Sequence, residues 1–418
     1  MSSYSTELYP LSTQDLHHSI SKSISENEEQ LANICKKIHD DPELNYREYH
    51  AHDNICDLLE GLGYHVKRHT YGIETSFEVE AGHRGRLVVF NAEYDALPGL
   101  GHACGHNLIA TSSIAAFIAT AEALRKSGRE GRVRLLGTPA EEGGGGKVRL
   151  IRAGAYEGVD ACLMSHPMGC MPSNFDGVSA TKSLARRQVN VTFKGQNAHA
   201  GLIPWNGKNA LDAVVASYVN ISLLRQQLPP TARVHGVIRQ GGAEPNIIPD
   251  STSLEYFLRD TTFCAVEKLS EKIQACFEAG ALATGCGVDC AWRTDNDYKD
   301  LCPNHVLARE FTKHMRGFGR EYLEDGGDRA MGASTDMGNV TYEVPGFHCA
   351  FSVGTDDASV QPHTPAFAAA AGTRLAFERA LDCAKGMAAT AYDLLTRSDL
   401  MEEAWSKFRE QMKPGSKL

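Results

Sequence analysis

Between Asn91 and Asn107 the chain reads NAEYDALPGLGHACGHN, a stretch that brings His102, Cys104 and His106 together with Glu93 and Asp95 close upstream. Imidazole and thiolate alternating along an extended loop let several side chains face one point. Ligands of that softness suit zinc and its neighbours. Farther on, Thr138-Pro139-Ala140-Glu141-Glu142-Gly143 sets two adjacent carboxylates ahead of a glycine run, and Ser165-His166-Pro167 adds an imidazole. Neighbouring carboxylates in a loop can point different ways, so one can hold a metal while the other stays free to move a proton. A buried thiol between satisfied histidines, or a solvated Glu-Glu turn, explains any one of these strings; it does not explain all of them together. Gly143 to Gly146 with Lys147 is no phosphate cradle, because the six-residue frame and the Ser/Thr after the lysine are missing. No G-x-S-x-G elbow supports a serine hydrolase.

Each string follows an apolar run. Leu87-Val88-Val89-Phe90 predicts a strand near 86–91, and similar runs predict strands near 132–137 and 160–165. Helical patterns fill the gaps, with Ile114, Phe117, Ile118 and Ala121 on one face and a short helix at 147–154. Such alternation implies an α/β fold with a doubly wound, mostly parallel sheet. Loops at the carboxyl ends of its strands share one rim, so the three candidate loops converge. Upstream, residues 1–23 read as a loosely held polar arm. Ser25 with Glu28 forms a capping box for a helix carrying Leu31, Ile34, Cys35 and Ile38. A second helix begins near Arg47, with Ile55, Leu58, Leu59 and Leu62 inward, and ends at Gly63. After about residue 180 the pattern changes. Val189, Val191 and Phe193 alternate as a strand; Leu211, Val214, Val215 and Tyr218 form a helix face; strands near 233–240 and 252–259, a helix near 265–283 and a strand near 287–293 follow. The order β-α-β-β-α-β is ferredoxin-like. It defines an inserted lid or dimerisation domain at 181–294 within a discontinuous metal-binding domain at 1–180 and 295–418, which ends in an Ala-rich helical stretch over 366–396.

The totals exclude several classes. A chain of 418 residues with 42% hydrophobic and 22% charged residues is an ordinary globular composition, long enough for two domains. A net charge of −10 and the lack of a Lys/Arg run argue against nucleic acid as a partner. No apolar stretch reads as long enough for a bilayer, and the opening residues lack a secretory signal. Twelve scattered cysteines suggest reduced thiols, and the spacing of Cys286 and Cys290 is wrong for a zinc pair. Ser416-Lys417-Leu418 is a peroxisomal address that an import receptor would read, so the expected location is peroxisomal or cytoplasmic rather than secreted.

HACGH, the EEGGGG run, Ser165-His166-Pro167, Asn197-Ala198-His199-Ala200, Glu244-Pro245-Asn246-Ile247-Ile248-Pro249 and Pro362-His363-Thr364 occur in the order shown by one metallopeptidase family. The chain resembles the M-20 family of carboxypeptidase G, aminoacylase and the indole-acetyl-amino-acid hydrolases from about residue 30 to 396. AEYDALPGLGHACGHN and TPAEEGGGGK look most like its aminobenzoyl-glutamate hydrolase and basic-dipeptidase branch. The resemblance implies a two-metal amidohydrolase cleaving an N-acyl amino acid or a dipeptide. Cys104 would bridge the ions, with Glu142 and His363 completing one site and His106 and His166 the other. The metals would be zinc first, with manganese or cobalt as alternatives. Glu141 would be the general base, His199 would stabilise the oxyanion, Asn246 and Arg259 would hold the substrate's carbonyl or carboxylate, and Asp95 would orient a metal ligand. Asn107 stands where many members carry Asp, and Cys104 where many carry a bridging Asp; both departures agree with the branch named. The same resemblance implies a homodimer paired through the inserted domain. An amide-forming enzyme with the same site and an inactive binding scaffold are the alternatives; the scaffold predicts a lost ligand, and none is missing.

Overall fold

The computed structural model describes residues 11–171, 174–326 and 332–413. The Ser416-Lys417-Leu418 end lies outside them. Contacts divide the chain into two units: one runs up to Lys182, resumes at Leu301 and again from Thr335, and the other comprises Ser183–Asp300 with Gly332–Ser334.

The segment read as a loose arm is a helix, α1 (Thr13–Glu26), from Thr13 onward. Its cap is Ser12, whose hydroxyl accepts from the Asp15 N–H at 3.2 Å. The stripe Leu16, Ile20 and Ile24 is buried together with Ser19 and Ser23. Polar residues between those positions mask the period in the sequence. The proposed capping Ser25 belongs to the last turn of α1; α2 (Glu28–Asp40) starts after Asn27 and buries Leu31, Ile34, Cys35 and Ile38 as expected. Next come α3 (Tyr49–Gly61), β1 (Val66–Arg68), β2 (Phe77–His83), β3 (Leu87–Ala92), α4 (His106–Ser127), β4 (Gly131–Gly137), α5 (Gly146–Arg152), β5 (Ala161–Met168) and β6 (Gly177–Ala180). The inserted unit holds β7 (Ala185–Lys194), α6 (Ala210–Leu224), β8 (Arg233–Gln240), β9 (Ser251–Asp260), α7 (Phe263–Thr284) and β10 (Gly287–Trp292). Returning to the first unit, the chain forms α8 (His305–Gly317), β11 (Tyr322–Asp325), α9 (Met337–Val340), β12 (Gly346–Ser352), α10 (Pro365–Ala371), α11 (Arg374–Thr396) and α12 (Ser398–Gln411). The Ala-rich stretch is therefore two helices, broken at Gly372 and restarted by the Thr373 cap on the Ala376 N–H.

The large sheet has the order β1-β2-β4-β3-β5-β12-β6-β11. Its centre, β4-β3-β5-β12, is parallel, with Phe90 opposite Leu135 and Leu163 opposite Phe347. The flanks are mixed: β2 runs antiparallel to β4 and β6 antiparallel to β12. The parallel centre is what matters for the site, because β3, β4, β5 and β12 all deliver their following residues to one edge. α4 and α11 pack on one face of this sheet; α5 and α9 pack on the other. α4 is long and apolar enough to span a membrane by length and composition, which the sequence reading did not allow for, yet 89% of its apolar window is buried inside the fold. It is the central core helix. Each fully buried Leu, Ile or Phe on it is worth about 1.5–3 kcal/mol.

In the inserted unit the four strands lie antiparallel in the order β10-β7-β9-β8, the ferredoxin-like topology, with α6 and α7 covering one face. Val189 faces Tyr256 and Val191 faces Leu254 across the ladder, all buried. The expected inner face of α6 is only partly right. Ala210, Ala213, Val214, Ser217 and Ile221 point inward, whereas Val215 and Tyr218 are exposed. Small residues face the partner helix because Gly280 of α7 approaches closely: a Cβ there would meet the Ala213 carbonyl oxygen at 2.8 Å. That close approach turns the bulky side of α6 outward.

Candidate metal centre

The rim at the ends of the parallel strands collects the chemistry. The loop after β3 carries Glu93 and Asp95 and then Cys104, the last residue before the Gly105 that opens α4 at His106. Gly105 must be glycine: its φ is +74°, and a Cβ would come within 2.5 Å of the Pro167 ring. The turn after β4 begins at Ala140, held at φ +60°. Its N–H is gripped by the Glu48 carboxylate at 2.9 Å, and its carbonyl accepts from the Gly144 N–H at 3.1 Å. That fixed turn presents Glu141 and Glu142. His166 comes from the end of β5 itself. His363, in the loop before α10, also has positive φ (+68°) and donates its backbone N–H to the Ala103 carbonyl at 2.8 Å. Non-glycine residues in such conformations are strained, and Ala140 and His363 are two of the seven among the described residues.

Three imidazoles, a thiol and a carboxylate meet there. Ligand atoms of Cys104, His106 and His166 lie within 4.8 Å of one another, as do those of Cys104, Glu142 and His363, so two triads share Cys104. Cys104 Sγ is 3.4 Å from His166 Nε2, and Glu142 Oε2 is 3.6 Å from His363 Nε2. Ligands held tetrahedrally at about 2.0–2.3 Å from a cation sit about 3.3–3.8 Å apart, so these separations suit a metal ion. The second nitrogens are already engaged: His106 Nδ1 faces Asp95 Oδ1 at 3.2 Å, and His166 Nδ1 faces the Pro167 carbonyl at 2.7 Å. That leaves Nε2 as the ligating lone pair in each ring. Buried His106 Nε2 and Glu142 Oε1 have no hydrogen-bond partner, a costly arrangement that a cation would relieve. The residues therefore fit divalent ions.

Burial and neighbouring charges set how tightly these donors hold their protons, with Asp95 raising His106 well above its ordinary range. Burial, and then the neighbouring Glu142, push the Cys104 thiol well above its usual range. Burial and repulsion from His106 lower His166 to about 4, keeping it a neutral donor. Cation binding is what would deprotonate such a thiol. Glu141 is buried, and burial followed by Glu93, Glu142 and Asp336 raises its carboxyl well above the ordinary range.

Asp95 stands behind two ligands at once, holding His106 through one oxygen and the Glu142 N–H through the other at 2.9 Å. His102 is buried beside His39, with ring centroids 6.4 Å apart, and belongs to neither triad. Asn107 faces away from the triads and ties α4 to the Ala371 carbonyl at 3.0 Å. In the inserted unit, Arg259 is a half-buried β9 residue that donates to Ser334 Oγ at 2.8 Å. His199 is exposed on a loop that pairs with Ile247, and the Ala200 N–H donates to the Asn246 carbonyl at 3.0 Å. His199 Nδ1 accepts from the Gly201 and Leu202 N–H groups at 3.2 and 3.1 Å, so the neutral ring carries its proton on Nε2.

Sequence reasoning passed over Glu48, read Ser334-Thr335-Asp336 only as a lining turn and undervalued Glu93 and Lys147; Glu48, Glu93, Lys147 and Asp336 are all fully buried. Glu93 had a legible signal in its place just upstream of the HACGH string, and Lys147 in its place at the end of the glycine run among apolar neighbours.

A profile described as Peptidase family M20/M25/M40 matches residues 89–376. The mouse Xaa-Arg dipeptidase is 40% identical over 400 residues, covering 92% of this chain and 90% of that protein. A p-aminobenzoyl-glutamate hydrolase chain of Escherichia coli K12 is 28% identical, covering 95% of each. Among solved structures, a Bacillus subtilis protein described as a dinuclear metal-binding peptidase of the M20 family superposes with a TM-score of 0.67 at 21% identity, covering 89% of this chain and 99% of that one. A Klebsiella pneumoniae aminobenzoyl-glutamate utilization protein does so at 0.68 and 16% identity, covering 90% and 99%. At these identities the structural likeness speaks for the fold.

Proposed function

Because the chain belongs to peptidase family M20/M25/M40 and is a metal-dependent hydrolase of amide bonds in N-acyl amino acids or dipeptides, we propose that it is a dipeptidase that would hold two divalent ions, with Cys104 a donor available to both. The observation that carries this reading is the pair of donor triads sharing one thiol, with Glu141 next to the ligand Glu142. His106 and His166 would hold one ion, and Glu142 and His363 the other. A bound pair of divalent ions, zinc by preference, supplies Lewis acidity that acidifies water and polarises the scissile carbonyl. Glu141 takes the water's proton and returns it to the leaving amine. Asp95 keeps His106 in the ligating tautomer. Arg259 offers a planar fork for a substrate carboxylate, Asn246 an amide for its carbonyl, and His199 an Nε2 proton for the developing oxyanion.

The substrate class follows the 40%-identical relative, so dipeptides with a carboxyl-terminal basic residue come first. The hydrolytic names of the relatives disfavour both an amide-forming role and an inactive scaffold. A homodimer is also proposed, supported by exposed Val215, Tyr218, Val219 and Leu223 on α6 and by Val237 and Ile238 on the edge strand β8. Zinc-loaded protein should cleave Xaa-Arg dipeptides in a panel with N-acyl amino acids, and exhaustive chelation should abolish cleavage. Undiminished turnover after chelation would sink the reading.

A further inference from the structure

Lys147, next to the candidate base, has no task in the reaction as described. It is the second residue of α5 and has no exposed surface. Its Nζ pairs with Glu93 and lies 2.6 Å from Asp336 Oδ1, and its backbone N–H donates to Asp336 Oδ2 at 2.8 Å. Oxygens of Glu93, Glu141 and Asp336 lie within 4.8 Å of one another, so the Glu141 carboxylate stands beside the two that hold the ammonium. A charge is retained in such a place only when paired, and a lysine is a costly filling for a turn whose other inward residues are Val148 and Leu150. Its partners reach the working parts of the site. The second Glu93 oxygen is 3.6 Å from His106 Nε2, and Asp336 grips the start of α5, which closes the turn carrying Glu141 and Glu142.

We propose that Lys147 is a positioning residue: clamped between Glu93 and Asp336, its ammonium fixes the Glu141 carboxylate in place, while it neither ligates an ion nor touches substrate. This rests on the reading of Glu141 as the base. Without the ammonium, Glu93, Glu141 and Asp336 repel one another, and the Glu141 carboxylate is expected to move away from the other two. A misplacement of about 1 Å at a reacting group costs on the order of 100-fold in rate.

The test compares zinc-loaded wild type with Lys147→Met, using alanyl-arginine as the probe. Expected are an unchanged zinc content by mass spectrometry, a kcat lower by about 100-fold and a KM within about threefold of wild type. Crystal structures of both proteins should show the Glu141 carboxylate displaced in the variant. A zinc-loaded variant with wild-type kcat, or with Glu141 unmoved, overturns the proposal. If Lys147→Met fails to fold or loses zinc, Lys147→Met/Asp336→Asn removes the ion pair as a neutral unit. That double variant supports the proposal if it folds, holds zinc and stays slow. It overturns the proposal if it regains full kcat or still fails to fold, because Lys147 then serves only stability. A wild type that binds zinc but leaves all dipeptides intact fails the functional reading instead, and the Glu141 comparison still decides the role of Lys147.

Discussion

Replacing Asp95 by asparagine keeps the shape of the side chain and removes one acceptor from a place that water does not reach. Asp95 is 1% exposed. One carboxylate oxygen faces His106 Nδ1 at 3.2 Å and the other accepts the Glu142 N–H at 2.9 Å, so two donors are satisfied by two acceptors. Asparagine has one acceptor oxygen and one amide donor, so one of the two groups loses its acceptor. If the amide nitrogen turns to His106, the imidazole accepts through Nδ1 and carries its proton on Nε2, the atom needed as a ligand. If it turns to Glu142, a buried N–H loses its acceptor, at a cost of about 1–3 kcal/mol. Either outcome weakens one half of the site. Carboxylates that orient ligating histidines typically change metal affinity by about 10–100-fold, or roughly 1.4–2.7 kcal/mol. Competition for zinc against a chromophoric chelator measures this directly, with far-UV circular dichroism reporting an intact fold. Asp95→Asn holding zinc within about threefold of wild type would refute the claim that this carboxylate sets the ligand tautomer.

The other predictions address the base, the loop and the pH response. Glu141→Gln should keep its zinc and lose turnover by about 10²–10⁴-fold, measured as kcat beside metal content; a variant retaining wild-type kcat would assign the base elsewhere. Gly105→Ala forces a side chain into a left-handed conformation and against Pro167, costing about 1–2 kcal/mol of strain before any clash. Its zinc content and melting temperature should both fall, and an unchanged zinc content would contradict the account of the HACGH loop. His17 lies away from the ligands, stacked on Phe318 and 2.9 Å from His314 Nδ1. Burial, then His314 and Lys313, lower it from 6.5 to about 4 against an opposing pull from Asp393. A base depressed in this way contributes stability that is present above pH 6.5 and lost as pH falls toward 4, because the unfolded chain binds the proton first. Calorimetry over that window should show a shallower fall in melting temperature for His17→Phe than for wild type; equal slopes would remove His17 from the account.

Local pattern was enough to define the parallel centre of the sheet and the loops at its rim. Apolar runs such as Leu87-Val88-Val89-Phe90 end in ligand-bearing loops, and strand direction then sends every such loop to the same edge. Donor chemistry was legible in the HACGH string, the Glu141-Glu142 pair and His166, while His363 and the division of donors between two ions came from the family resemblance. Relations between distant segments were not legible. α1 was hidden because its burial depends on α4 and α11, far along the chain. The outward face of α6 was misread because a glycine on α7 decides which side packs. Glu48 reaching Ala140, and Lys147 meeting Glu93 and Asp336, join residues that no sequence period connects. Buried polar groups take whichever partners folding brings near them, so it took the folded chain to set the candidate base beside a buried lysine.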